Sequence, residues 1–247
     1  MNYLAKIKYL GTAFHGFQVQ PSERTVQGVL CEALREALGH SVKVTGCSRT
    51  DAGVHANEFC LRIDCDGATV PADKLPLAVS RFLPTDLSLF YAEECSSDFH
   101  PRYDVKSKEY LYIIENKPVY DPFTYGRAWF LPRKITDSGL ALMREAAEKI
   151  VGKKDFSSFM SDGSDTSDTV REVHYLKLER LGDRIEIRIA ADGFLYNMVR
   201  IIVGTLTEVA FGRFSPKDID SILSAKDRKL AGPTAPADGL YLNKVTY

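Results

Sequence analysis

Several features that would assign this chain quickly are missing, and each absence excludes something. The five cysteines (Cys31, Cys47, Cys60, Cys65 and Cys95) are odd in number, lie in the first 95 residues and form no CxxC pair. That pattern argues for free thiols in a reducing compartment, against a disulfide framework and against a zinc knuckle. No Asn-x-Ser/Thr sequon occurs, and no apolar run approaches the length of a membrane span. The N-terminal MNYLAKIKYLG places two lysines inside an alternating pattern, so it reads as a strand rather than a secretory leader. A cytoplasmic protein with no membrane partner is the expectation.

An excess of one charge is also missing. Lys and Arg number 32 against 33 Asp and Glu, for a net charge of −1. A nucleic-acid partner would therefore need a local basic patch rather than a basic chain. His15, His40, His55, His100 and His174 show no ligand-like spacing, and no metal site is expected. Gly11 and Gly16 have P-loop spacing, but Phe17 and Gln18 stand where that motif needs Lys and Ser/Thr, so no triphosphate site is implied.

What is present is a chain of 247 residues, 45% hydrophobic and 26% charged. This suits one large globular domain or two of about 100 residues each. Residues 3–9 alternate as a strand, and 25–38 carry a helical stripe with Thr25 as N-cap and Gly39 as stop. Strands are expected at 42–45, 59–65 and 87–93, with a second helix over 71–82. The resulting β-α-β-β-α-β order then recurs: strand 108–115, helix 138–151, hairpin 170–181 and 184–191 around Gly182-Asp183, helix 194–211, strand 240–247. A short extra helix opens at Ser215-Pro216. The fold class expected is α+β, two ferredoxin-like or RRM-like halves, residues 1–103 and 104–247, forming a continuous, mainly antiparallel sheet flanked by helices. The hydrophilic run 161–168, SDGSDTSD, is expected to be a solvated, mobile loop.

The densest polar chemistry lies in Gly46 to Phe59, GCSRTDAGVHANEF, between two of these strands. Loops fixed at both ends are frequent sites of catalytic groups. Asp51, with an ordinary carboxylate pKa of ~3.9 and Arg49 two positions earlier, is an anion at neutral pH and can serve as a nucleophile. The bland alternative is a turn, with Asp51 accepting backbone hydrogen bonds and Gly53 supplying positive φ. FHPRYDVKSKEYLY (99–112) mixes His100, Arg102, Lys106 and Lys108 with four aromatics, suited either to phosphates and stacked bases or to a solvated edge strand. Lys153-Lys154 before DFSSF is a weaker patch of the same kind. Arg200 interrupts an apolar helix and calls for a carboxylate partner such as Asp51, or for a surface setting.

YLGTAFHGFQ, SRTDAGVHA, KEYLY, DFSSF, DGFLYNMVR and APADGLYL, in this order and spacing, closely resemble the motifs of the tRNA pseudouridine synthase A family, from Tyr9 to Leu242. Leu10, Phe17 and Ser48 depart from the family's more frequent Asp, Trp and Gly. The resemblance implies isomerisation of uridine to pseudouridine in the anticodon arm of tRNA (family positions 38, 39 and 40), by a homodimer using neither cofactor nor metal. It makes Asp51 the nucleophile, attacking either the ribose C1′ or the base, in a cleft between the halves. Arg49 would fill the space left by the flipped base, Tyr110 would stack on that base, Arg200 would pair with Asp51, and Leu240 would form part of the apolar wall. Arg81, Arg102, Lys106, Lys108, Lys153 and Lys154 would supply a basic stripe.

Two other readings use the same residues. A non-catalytic RNA-binding protein of two RRM-like halves would call for an RNP1 run, which no segment supplies. A glycoside hydrolase would need a second carboxylate, and Glu58 and Asp64 have strand-like settings.

Overall fold

The computed structural model of the chain describes residues 1–163 and 166–247. The expectation for the polar run 161–168 therefore falls partly outside the described residues. Two compact units result, Met1–Lys106 with Tyr241–Tyr247, and Ser107–Leu240. Both are mixed α and β, with largely antiparallel sheets flanked by helices, the class expected from the sequence.

In the first unit β1 (Asn2–Tyr9) runs antiparallel to both β3 (His55–Asp64) and β4 (Leu87–Glu94). The short β2 (Lys43–Gly46) also pairs antiparallel with β3. Alternation in β1 buries Tyr3, Ala5, Ile7 and Tyr9 on one side, as a strand of period two requires. Helix α1 (Val26–Leu38) begins where the Thr25 side chain accepts the Gly28 N–H and ends at Gly39, whose φ is 78°. Such a cap is worth about 1 kcal/mol, and a left-handed C-terminal residue is most easily glycine. Its stripe of Val26, Leu30, Ala33, Leu34 and Leu38 is buried. The second helix, α2 (Leu75–Ser80), is shorter than the 71–82 pattern suggests. Ala72–Lys74 is a 3₁₀ turn, because Pro76 serves only at a helix start.

The last strand, β10 (Leu240–Thr246), belongs to the first unit from Tyr241 onward, although chain order groups it with the second half. It pairs parallel to the start of β3, Tyr241 opposite His55 and Leu242 opposite Ala56. With the pairing of Tyr9 in β1 opposite Ala56, it accounts for β3 starting at His55 and not at Phe59, where the apolar alternation begins.

In the second unit β5 (Ser107–Glu115), β9 (Arg184–Ala191), β8 (Val170–Leu181) and β7 (Gly152–Asp155) lie in that order, each antiparallel to the next. Two strands are additional to the sequence reading. β6 (Trp129–Phe130) pairs parallel with β5, and β7 contains Lys153 and Lys154. Helix α3 (Asp137–Glu148) is capped by Thr136, whose Oγ1 accepts the Gly139 N–H at 3.0 Å. Helices α4 (Met198–Ala210) and α5 (Asp218–Ala225) complete the unit. α4 begins after Asn197, which sits in the left-handed region at φ 59°, so Arg200 lies in the first helical turn and not mid-helix. No helix among the described residues is long and apolar enough to cross a membrane.

Candidate active site

The polypeptide between β2 and β3 carries Arg49 and Asp51, and a second loop, residues 10–17, is laid against it. At its base the Cys47 N–H donates to Cys60 O (2.9 Å), and the Val54 N–H closes the turn on Asp51 O (3.2 Å). Gly53 supplies φ 81°, so the turn reading of this segment is correct for the backbone. From the second loop, the Phe17 N–H donates to Thr50 O (3.1 Å), and Phe14 O accepts the Gly53 N–H (3.2 Å). The Tyr9 and Thr50 hydroxyls bond at 2.8 Å in the interior.

Close approach of two backbones is what Gly11 and Gly16 provide. A Cβ on Gly11 would come 2.0 Å from Val54 O, and one on Gly16, at φ 78°, 2.5 Å from Thr50 O. Neither distance is tolerable, so both positions require glycine. Behind them Phe17 stacks on Phe59 with ring centroids 4.3 Å apart. The backbone on both sides of Asp51 is thus fixed while the residue itself is half-buried, and Arg49 is exposed. Asp51 is thus a half-buried carboxylate on a fixed turn, two residues along the chain from the exposed Arg49, and a rigid backbone is what holds a functional group in one geometry.

His55 was placed by sequence in the polar loop, but it is fully buried as the first residue of β3. Its Nδ1 accepts the Gly11 N–H at 2.9 Å, and its ring stacks on Tyr241 at 4.4 Å. This histidine ties the two loops and β10 together. Sequence reasoning missed that role, and the spacing of Gly11 and Gly16 was the available signal.

The other sequence-nominated residues lie in the second unit. Tyr110 is a buried residue of β5 whose ring meets Phe194 edge-on at 5.1 Å. Arg200 is half-buried, its Nε donating to Ala235 O (2.7 Å) and its Nη1 to Asn197 Oδ1 (2.8 Å). Leu240 is buried at the start of β10. The preceding segment 231–239 is fastened down: Thr205 Oγ1 accepts the Gly232 N–H (2.9 Å), and the Tyr112 hydroxyl donates to Pro236 O (2.8 Å). Gly204 and Gly239 admit no side chain, since a Cβ would meet Pro233 O at 1.8 Å and Ile113 O at 2.7 Å.

DFSSF is structural. Phe156 and Phe159 are fully buried, and Ser158 donates to Ile222 O (2.5 Å). Asp155 accepts from Ser157 and Thr169 and pairs with Lys226 at 2.7 Å. Glu58 and Asp64 are β3 residues engaged by Lys6 (3.3 Å) and Arg62 (2.7 Å). Burial pushes the Cys60 thiol up to about 12, so it stays protonated and unreactive at neutral pH. Among the described residues no three His, Cys, Asp or Glu side chains gather as metal ligands.

The family described as tRNA pseudouridine synthase matches residues 5–104 and 146–247. The chain is 41% identical over 246 residues to tRNA pseudouridine synthase A of Thermoanaerobacter sp. (strain X514), covering 100% of this chain and 99% of that protein. It is 42% identical to the proteins of the same name from Brevibacillus brevis, over 98% of this chain and 97% of that one, and Caldicellulosiruptor saccharolyticus, over 100% and 99%. The chain belongs to the tRNA pseudouridine synthase family of isomerases.

Proposed function

We propose that this protein converts uridine to pseudouridine on the 3′ side of the tRNA anticodon loop and the adjoining stem, with Asp51 as the nucleophile. The observation that carries the reading is the rigid seat of Asp51, closed by Gly11, Gly16 and His55. A turn needed only for connection has no reason to be braced by a second loop whose glycines allow backbone contact.

The chemistry is an isomerisation. The N1–C1′ bond breaks, a C5–C1′ bond forms, the C5 proton leaves and N1 gains one, so no electron acceptor is required. The carboxylate of Asp51 attacks either C1′ or the base, detaching uracil so that it can turn. The target base must first leave the stack, at a cost of a few kcal/mol. Arg49, exposed on the same loop, fills the vacated space and meets the RNA backbone. Tyr110 stacks on the base, Arg200 binds the substrate, and Leu240 supplies apolar wall. The enzyme works as a cytoplasmic homodimer that grips one tRNA with two subunits.

Tritium release from tRNA transcripts labelled at uridine C5 tests the site. Release is expected only from transcripts with uridine on the 3′ side of the anticodon loop and its stem. Equal release after those uridines are replaced would refute the assignment.

A further inference from the structure

A hollow of about 240 Å³ opens on the first unit, walled by Ser48 and Arg49 from the Asp51 loop, by Gln18, and by His100, Arg102 and Tyr103. None of the described residues lining it is Asp or Glu. The nearest acidic residue along the chain, Asp104, accepts the His100 N–H (2.8 Å). The loop is wrapped around His100, whose Nδ1 accepts from the Arg102 N–H (3.2 Å) and the Tyr103 N–H (3.4 Å). Tyr103 is thereby held by its backbone while the residue is 75% exposed. One face of its ring packs against the His100 imidazole, with centroids 4.2 Å apart and planes 34° from parallel, and the Arg102 guanidinium lies over the ring 5.9 Å from its centroid.

Two guanidinium groups without an acidic neighbour in the wall select an anion, and their planar donors suit phosphate. An exposed, backbone-anchored aromatic beside them is the platform on which an unpaired base stacks. The volume is below the roughly 300 Å³ of pockets that enclose a small-molecule ligand. It admits a phosphate and part of one base, the rest remaining in solvent, as for a nucleotide within a longer strand.

We propose that this hollow binds one tRNA nucleotide other than the target uridine, with its phosphate between Arg49 and Arg102 and its base on Tyr103. The inference rests on the proposed reaction with tRNA. Arg49 is shared between the hollow and the Asp51 loop, and two residues span at most about 7 Å. The bound nucleotide is therefore a close neighbour of the target and sets which uridine reaches Asp51.

The test measures tRNA affinity and tritium release for wild type, Tyr103→Ala, Tyr103→Phe, Arg102→Gln and Arg35→Gln, the last an exposed arginine of α1 paired with Glu36. Tyr103→Ala should weaken binding and raise KM about tenfold with kcat unchanged, while Tyr103→Phe retains wild-type values. Arg102→Gln should weaken binding and lower the slope of log affinity against log salt by about 1, and Arg35→Gln should do neither. Wild-type affinity in both Tyr103→Ala and Arg102→Gln, in an enzyme that still releases tritium, overturns the hollow and leaves the reaction standing. Equal losses in Tyr103→Phe and Tyr103→Ala overturn the stacking, and an equal loss in Arg35→Gln overturns a specific role for Arg102. Wild-type binding without tritium release counts against the reaction, and the affinities alone then judge the hollow.

Discussion

The α-carbon of Gly16 faces the carbonyl of Thr50 so closely that a methyl group there would lie 2.5 Å from the oxygen. Gly16→Ala adds that clash to a φ of 78° and should cost about 1–3 kcal/mol. Because the displaced partner is backbone one residue before Asp51, kcat should fall more than tRNA affinity. Thermal unfolding and steady-state kinetics check this. Wild-type stability and kcat in the variant would show that the two loops need not be in contact.

Arg200 bonds both Ala235 O and Asn197 Oδ1, joining the 231–239 segment to the left-handed residue that starts α4. Arg200→Ala leaves these acceptors without the guanidinium and should destabilise by about 1–3 kcal/mol. Activity is expected to be lost together with stability, and Arg200→Lys, which lacks the planar fork, should restore little. A fully active, fully stable Arg200→Ala protein would contradict both roles.

Burial pulls the Asp155 carboxyl up, but the Lys226 ammonium and the hydrogen bonds from Ser157 and Thr169 leave it well below the usual carboxylate range. Its folded value is lower than the unfolded 3.8, so its contribution is complete above that pH and is lost as pH falls through the folded value. Asp155→Asn should cost about 1–2 kcal/mol at neutral pH. The gap from wild type should narrow as denaturation is measured at pH values progressively below 3.8. A gap constant with pH would contradict the ionic account.

Local signals in the sequence were strong wherever local physics decides. Thr25 and Gly39 mark α1 because capping is a property of a few adjacent residues, and the Gly182-Asp183 hairpin is marked by its turn. The Asp51 loop stands out because charged residues interrupt apolar alternation. Features set by distant partners were hidden. β7 is a strand because β8 pairs with it, although Gly-Lys-Lys-Asp has no strand signature. The beginning of β3 depends on β1 and on β10, the latter at the other end of the chain. Gly11 and Gly16 looked like half of a phosphate motif, and only the Asp51 loop lying against them shows what the missing side chains allow. His55 read as a polar loop residue for the same reason: its acceptor role needs the Gly11 N–H.

The proposed role of Asp51 as nucleophile is tested most directly by tritium release from C5-labelled tRNA, comparing wild type with Asp51→Asn at one low salt concentration, with tRNA binding measured alongside. The substitution keeps the size of a half-exposed side chain, so folding and binding should persist. Release by wild type and none by Asp51→Asn, at equal affinity, is the expected result. Turnover by a clean Asp51→Asn preparation would remove Asp51 from the nucleophile's role.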